Sequence, residues 1–466
     1  MRRGLLITTG TLALAGCVAG PPPEVATPVP DLPQSFLFAP DGETSAGLSA
    51  LLPDDDPAFK ALAAQAIAGS PTLLEAIARI EQTRAGASRA GAERLPTIGA
   101  NSSVTATRSN PAQFSSNLPP GISFDSERVS YAGNLTARWD VDLFGRLKAQ
   151  ERAARSRVDA ADARARAVRN ALLAELAASV IDWRTLEARE AETRNDLSSA
   201  EELARLAGVR ERAGIAPGFD RVRAESSASS SRSRLAALES ERARLLGRLV
   251  TLTALGGAEV RSILDQSGSL SFLPKPPAIL PSALLANRPD VLAAGANLAA
   301  EDAELAATAR RRFPVFDLSA AIGLLAFGIG DLFDSDSVVG SLAASVAAPL
   351  LDFGRIEAEI EGAAAEKKAA FHAYRGAVYS ALGDAETAYG LIASSDAELA
   401  AATAEAAELQ RAARLANTRY EAGLADFLTV LEARRAADAS GERAAAALGR
   451  ARRARVLLWQ ALGGSD

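Results

Sequence analysis

Two residue types that commonly carry chemistry occur once each in this 466-residue sequence, as His372 and Cys17. A zinc site needs three or four His, Cys or carboxylate ligands. A nucleophilic serine or cysteine needs a histidine beside it. One imidazole meets neither demand. His372 lies in the Ala-rich helical run AAFHAYRGAV, where packing against a neighbour or facing solvent is the ordinary role. The sequence also lacks a Gly-rich phosphate loop. These residues predict a protein that is not an enzyme, with no catalytic residue, no metal and no cofactor.

Cys17 has more telling company. Residues 1–17 read MRRGLLITTGTLALAGC, two arginines followed by an apolar stretch and small residues. That is the layout of a secretory signal peptide, and Leu14-Ala15-Gly16-Cys17 resembles the bacterial lipobox. On this reading residues 1–16 are a lipoprotein signal and Cys17 becomes the acylated first residue. The alternative is an ordinary signal peptide with a chance cysteine. Val18 follows, where Asp usually marks inner-membrane retention, so the resemblance points to the outer membrane. Removing Arg2 and Arg3 takes the formal charge from −6 to −8. Moderate acidity argues against a nucleic-acid partner. No uninterrupted apolar run of about 18 residues follows Cys17, so a membrane span would have to be β.

The elements behind these residues are repetitive. The sequence is 48% hydrophobic but 5% aromatic, and Ala and Arg dominate many stretches, which favours long helices. Residues 17–57, rich in Pro, Gly and Asp, read as a lipid-anchored tether without a core. The sequence then says nearly the same thing twice. Phe144 and Phe353, in LFGR and DFGR corners, are 209 residues apart, as are Gly214 and Gly423. Pro71 and Pro289 are 218 apart, as are Pro96 and Pro314. The predicted organisation is a first repeat over 58–257, a linker over 258–283 and a second repeat over 284–464. Each repeat holds a helix (about 58–94 and 284–312), two strands, and a very long helix (about 146–212 and 355–421). A turn at Gly214 or Gly423 leads to a return helix (about 218–254 and 426–462). At ~1.5 Å per residue the long helix would span roughly 100 Å, far beyond a globular core.

The strands, about 97–108, 128–142, 315–325 and 338–350, show a period of two. Val129, Tyr131, Leu135, Ala137, Trp139 and Val141 alternate with Ser130, Asn134, Thr136, Arg138 and Asp140. Such alternation fits a strand between lipid and water, and it equally fits a soluble sandwich. The lipobox and the very long helices favour lipid. Four strands cannot close a barrel, and an open edge cannot stand in lipid, so membrane strands would require oligomerisation.

Several segments together resemble a known family. Leu284-Leu285-Ala286-Asn287-Arg288-Pro289-Asp290-Val291 resembles the L-x-x-R-P-D-V signature of NodT-type outer-membrane factor lipoproteins. Phe313-Pro314 resembles the helix-to-strand corner, and Trp139 to Gly145 and Pro349 to Gly354 the strand-to-helix corners. Arg419-Tyr420-Glu421-Ala422-Gly423 and Phe427 to Ala433 resemble the periplasmic-tip motif. The likeness to this TolC/OprM-like family covers roughly residues 30–464 in duplicate. It implies a mainly α fold with transmembrane β: duplicated long helical hairpins forming a periplasmic tunnel, and four strands per protomer in a trimeric twelve-stranded barrel. It further implies a homotrimer in outer-membrane lipid, a periplasmic adaptor (membrane fusion) protein, and an inner-membrane pump of the resistance-nodulation-division (RND) class.

By the same resemblance Leu428 and Glu432 match the periplasmic gate, where three Glu432 carboxylates would form an acidic ring. Asp220 matches an acid that latches the closed state to the residue equivalent to Tyr420, and Gly214 and Gly423 mark the tip turns. Ala425 and Asp426 stand where the family carries an arginine, and Thr429 where some relatives carry an acid. Asp220 could instead be a helix N-cap, and Glu432 part of a solvated helix face. The implied function is the passive exit duct of a tripartite efflux system for small molecules such as drugs. Type I protein secretion uses the same fold and stays open as a cargo. A non-pore coiled-coil scaffold is the alternative of another class, and it would need neither alternating strands nor duplicated hairpins.

Overall fold

In the computed structural model the described residues are 23–40, 47–110, 127–266, 270 and 273–464. The helices are α1 (Pro57–Gly69), α2 (Pro71–Ala92), α3 (Arg146–Arg212), α4 (Gly218–Thr253), α5 (Gly257–Leu264), α6 (Leu284–Asn287), α7 (Pro289–Ala309), α8 (Arg355–Glu421) and α9 (Phe427–Ala461). The strands are β1 (Thr97–Arg108), β2 (Glu127–Val141), β3 (Val315–Ala326) and β4 (Val338–Ala347). The fold is mostly helical with one small antiparallel sheet.

The duplication is visible in element lengths. Helices α3 and α8 contain 67 residues each, α4 36 and α9 35. Carboxylates start both long helices. Asp142 accepts from the Leu147 and Lys148 amides at 3.1 and 2.8 Å, and Asp352 from Ile356 at 3.0 Å. Each end is a Schellman turn. The Ile215 amide donates to the Arg210 carbonyl at 3.0 Å and Leu424 to Arg419 at 2.7 Å. Gly214 and Gly423 stand at φ +71° and +74°, where a Cβ would strain the backbone.

Three sequence expectations are corrected. The first helix of each copy is broken: α1 and α2 meet at a 42° bend beside Pro71, and α6 stops before Pro289. Proline has no amide for the preceding turn and suits a first helical position. The linker 258–283 contains helical residues, since α5 ends at Leu264. The N-terminal segment does not lack a core. Phe36, Leu51 and Leu52 are buried, the Phe36 ring lies 5.5 Å from Tyr389, and the Leu37 amide donates to Glu386 at 3.0 Å. Scattered among Pro and Asp, these three apolar side chains suffice to dock their parts of the segment.

The described residues divide into two units, and α2, α3, α7 and α8 each contribute to both. One unit holds the sheet and its adjoining helix segments within Gln82–Val158 and Ala296–His372. There Phe144 of the first corner stacks on Phe313 at 4.7 Å, and Trp139 Nε1 donates to the Arg94 carbonyl at 2.9 Å.

The other unit is helical, with Trp183, Trp459, Tyr389, Leu176, Ile181 and Leu264 in its main core. Its polar ties are buried. Arg184 donates to Asp56 at 2.8 Å and to the Leu264 carbonyl at 2.9 Å, while Asp56 also caps α1 by accepting from Ala58. Buried charges persist where paired and hydrogen-bonded in this way.

Candidate functional site

The sheet order is β1-β2-β3-β4, and all three pairings are antiparallel. Directly opposed residues share a face, so register decides what each face presents. Ile98 opposes Ala137, Val104 opposes Tyr131, Leu135 opposes Ile322, Trp139 opposes Leu318, Ala320 opposes Leu342, and Phe316 opposes Val346. The other face pairs Asn101 with Asn134, Thr136 with Ala321, Arg138 with Ser319, and Asp317 with both Asp140 and Ser345. One face is therefore apolar across four strands and the other largely polar. The apolar face is uncovered: Ile98 is 75% exposed, Leu135 55% and Leu342 84%. A soluble sandwich would bury that face, so the alternative left open by alternation alone does not fit. Among the described residues no strand pairs with the outer edge of β1 or of β4.

Strand ends follow backbone chemistry. β4 stops at Ala347, two residues before Pro349, which lacks a ladder donor. At mid-sheet, Asn134 opposes Gly323, and a Cβ on Gly323 would lie 2.2 Å from Asn134 Oδ1.

The sequence-derived gate residues occupy the hairpin ends. Leu428 is half-buried and Glu432 exposed, one turn apart on α9 and hence on one side of it. Around them Phe427, Val430 and Leu431 pack with Leu203, Ala207, Ala224 and Ala416 in a small buried cluster. Asp426 caps α9, accepting from the Thr429 amide at 2.8 Å. Asp220 is not a cap. Pro217 holds that position and Asp220 sits in the first turn of α4, where a negative charge complements the helix dipole. Among the described residues Asp220 and Tyr420 share no hydrogen bond. The Tyr420 ring instead lies 4.9 Å from the Arg210 guanidinium carbon and 6.1 Å from the Phe427 ring. Cys17 lies outside the described residues. His372 is exposed on α8 beside Phe371, and no metal-holding cluster occurs among the described residues.

Two groups escaped the sequence reading. Arg288 of the R-P-D motif donates to Asp290 at 2.6 Å, to Asp384 at 2.9 Å and to the Ala461 carbonyl at 3.0 Å. Asp196 of α3 is buried and accepts from Ser231 of α4 at 2.5 Å and from the Arg234 guanidinium. The motif flagged Arg288 as a marker without giving its partners. No local signal flags a buried tie between residues 35 apart (196 to 231).

Known proteins are similar to this chain in sequence and fold. The chain is 32% identical over 412 residues to the pyoverdine export outer membrane protein OpmQ of Pseudomonas aeruginosa, covering 88% of this chain and 85% of that protein. It is 29% identical to the solvent efflux pump outer membrane protein SrpC of Pseudomonas putida, covering 82% and 79%. The structure of the outer-membrane channel OprN superposes with a TM-score of 0.84 at 25% identity, over 95% of this chain and 98% of that one. Residues 62–256 and 280–464 each match the family described as outer membrane efflux protein. Since that match runs through both copies of the repeat, the chain belongs to the outer membrane efflux protein family.

Proposed function

We propose that the protein is the outer-membrane channel of a tripartite efflux system, a passive exit duct for small molecules that performs no bond chemistry. One observation carries this reading. Among the described residues the sheet has a continuous apolar face that nothing covers and two unpaired edges, and lipid tolerates such a sheet only when it closes. Four strands are too few to close alone, and three copies supply twelve. The strands then cross the outer membrane with the polar face inward, while the helical hairpins project into the periplasm. Cys17, acylated after removal of residues 1–16, anchors the N-terminal segment in the same membrane. The two repeats, 58–257 and 284–464, supply equivalent parts of the wall.

The cargo class follows the relatives, whose names specify pyoverdine export and solvent efflux. The partners are a periplasmic adaptor and an inner-membrane pump of the resistance-nodulation-division class. Ile215, Phe219 and Leu424, exposed beside the two turns, offer the adaptor an apolar docking surface. Leu428 and Glu432 form the constriction. Asp220 and Tyr420 latch the closed state, and Arg210 lies over the Tyr420 ring beside them.

The test is single-channel recording of the purified protein in planar bilayers, with native mass spectrometry of the detergent-solubilised form. Discrete conductance from a trimer is expected. A monomer without conductance would overturn the reading.

A further inference from the structure

The duplication leaves two equivalent residues in unequal surroundings. Phe144 and Phe353 sit in corresponding strand-to-helix corners, 209 residues apart (144 to 353). Phe144 is seated within the chain, stacked on Phe313 at 4.7 Å and tilted against Phe316 at 6.3 Å. Phe353 is 91% exposed and stands at φ +55°. A bulky side chain rarely adopts positive φ, because its Cβ crowds the backbone there. The chain thus holds this ring out in a costly conformation and gives it no seat.

The same duplication locates one. The helix-to-strand corners lie 218 residues apart (96 to 314), so Phe313 and Phe316 correspond to Leu95 and Ile98. Both are open, Leu95 at 64% exposure and Ile98 at 75%. They flank the start of β1, whereas Phe353 follows the end of β4, and these strands are the two edges of the sheet. With β2 and β3 between the edges, at about 4.8 Å per strand, ring and seat cannot meet within one chain.

We infer that Phe353 of one protomer seats on Leu95 and Ile98 of the next, clasping β4 to β1 across the protomer boundary in the register of the β2–β3 pairing. The inference rests on the trimeric channel reading and names the contact that closes it.

Strand register supports the placement independently. Ile98 opposes Ala137 in the first hairpin. Shifting these two by 218 and 209 gives Phe316 and Val346, which oppose each other in the second. The shifts therefore carry pairing from one repeat to the other. Leu135 opposes Ile322 where the repeats meet. Shifted in the same way, that pair becomes Ala344 opposite Val104 of the next protomer. Both lie on the apolar face, since Ala344 opposes Leu318 and Val104 opposes Tyr131. A slip of one residue would turn β1 to the wrong face. In this register the apolar face continues unbroken and both edges are paired.

The experiment uses the full chain purified in detergent. Ala344→Cys combined with Val104→Cys is oxidised and compared with Ala344→Cys combined with Ser102→Cys or with Ala106→Cys. Directly opposed residues bring their Cα atoms within disulfide range, so the first combination should give covalent trimer on denaturing gels at several-fold higher yield. Preferential cross-linking of a shifted combination would overturn the register and the seat with it. The ring is tested by Phe353→Ala and Leu95→Ala, alone and together, following dissociation of the trimer on warming. Each single variant should dissociate roughly tenfold faster, the scale of burying part of an aromatic side chain. The double variant should be little faster than either, because both remove one contact. Phe353→Gly, which relieves the backbone, should still dissociate faster than wild type. Additive effects, as for a ring that faces lipid, would overturn the clasp and leave the channel reading standing. A wild type that forms no trimer would bring down both.

Discussion

Arg288 reaches Asp384 at 2.9 Å and, through another nitrogen, donates to the Ala461 carbonyl at 3.0 Å. One side chain thus ties the start of α7 to the middle of α8 and the last turn of α9. The R-P-D motif is a staple between elements.

Replacing Arg288 with Ala should lower the stability of the folded protein by about 2 kcal/mol, the scale of lost hydrogen bonds to charged groups. Arg288→Lys should recover only part, because an ammonium cannot reproduce the planar fork. Burial pushes Asp290 up, but the hydrogen bond and charge of Arg288 and the Val291 amide outweigh it and hold Asp290 below 3.8. A depressed carboxylate contributes stability above its unfolded value and loses it as pH falls through the folded one. Urea midpoints of wild type should therefore fall more than those of Arg288→Ala between about pH 5 and about pH 3. Equal falls would show that the pair contributes nothing.

The two faces of β4 should respond oppositely to charge. Leu342 is 84% exposed on the apolar face, and its neighbour Ser341 lies on the other. Leu342→Arg should cost about 2–4 kcal/mol near the bilayer midplane and reduce assembled trimer in outer-membrane fractions. Ser341→Arg should assemble normally. Equal tolerance at both positions would contradict a lipid-facing sheet.

Gate chemistry gives a third expectation. Glu432→Ala should raise conductance and weaken block by multivalent cations, since the acidic ring that binds them is gone. Leu428→Ala combined with Glu432→Ala should let large antibiotics such as vancomycin enter cells without any pump. Wild-type conductance, block and sensitivity in a correctly localised double mutant would move the gate elsewhere.

For the anchor, Cys17→Ser should abolish incorporation of labelled palmitate and leave an unprocessed or soluble form. Because barrel insertion supplies membrane affinity of its own, part of the efflux function should survive. Undiminished labelling would rule out acylation at Cys17.

Local physics made much of this chain legible from its sequence. Period two marked the strands, and Ala-rich runs bounded by Gly214 and Gly423 marked the long hairpins, because helix propensity and turn geometry act over a few residues. Internal repetition revealed the duplication without any coordinates. Alternation alone left lipid and a soluble sandwich undecided, because it does not say what covers the apolar face. Pairing decided that. Register across β2 and β3, which come from different copies, lined up Leu135 with Ile322 and left both uncovered. Cap choice was also tertiary: Asp426 caps α9 while Asp220 lies past Pro217 in the first turn of α4. Tyr420 faces Arg210 because α3 and α8 pack together near their ends, with Leu203, Ala207 and Ala416 in one buried cluster. The hydrogen bond from Ser231 to Asp196 was invisible for the same reason. Asp196 is buried there, and burial exists only once distant segments have excluded water from one another.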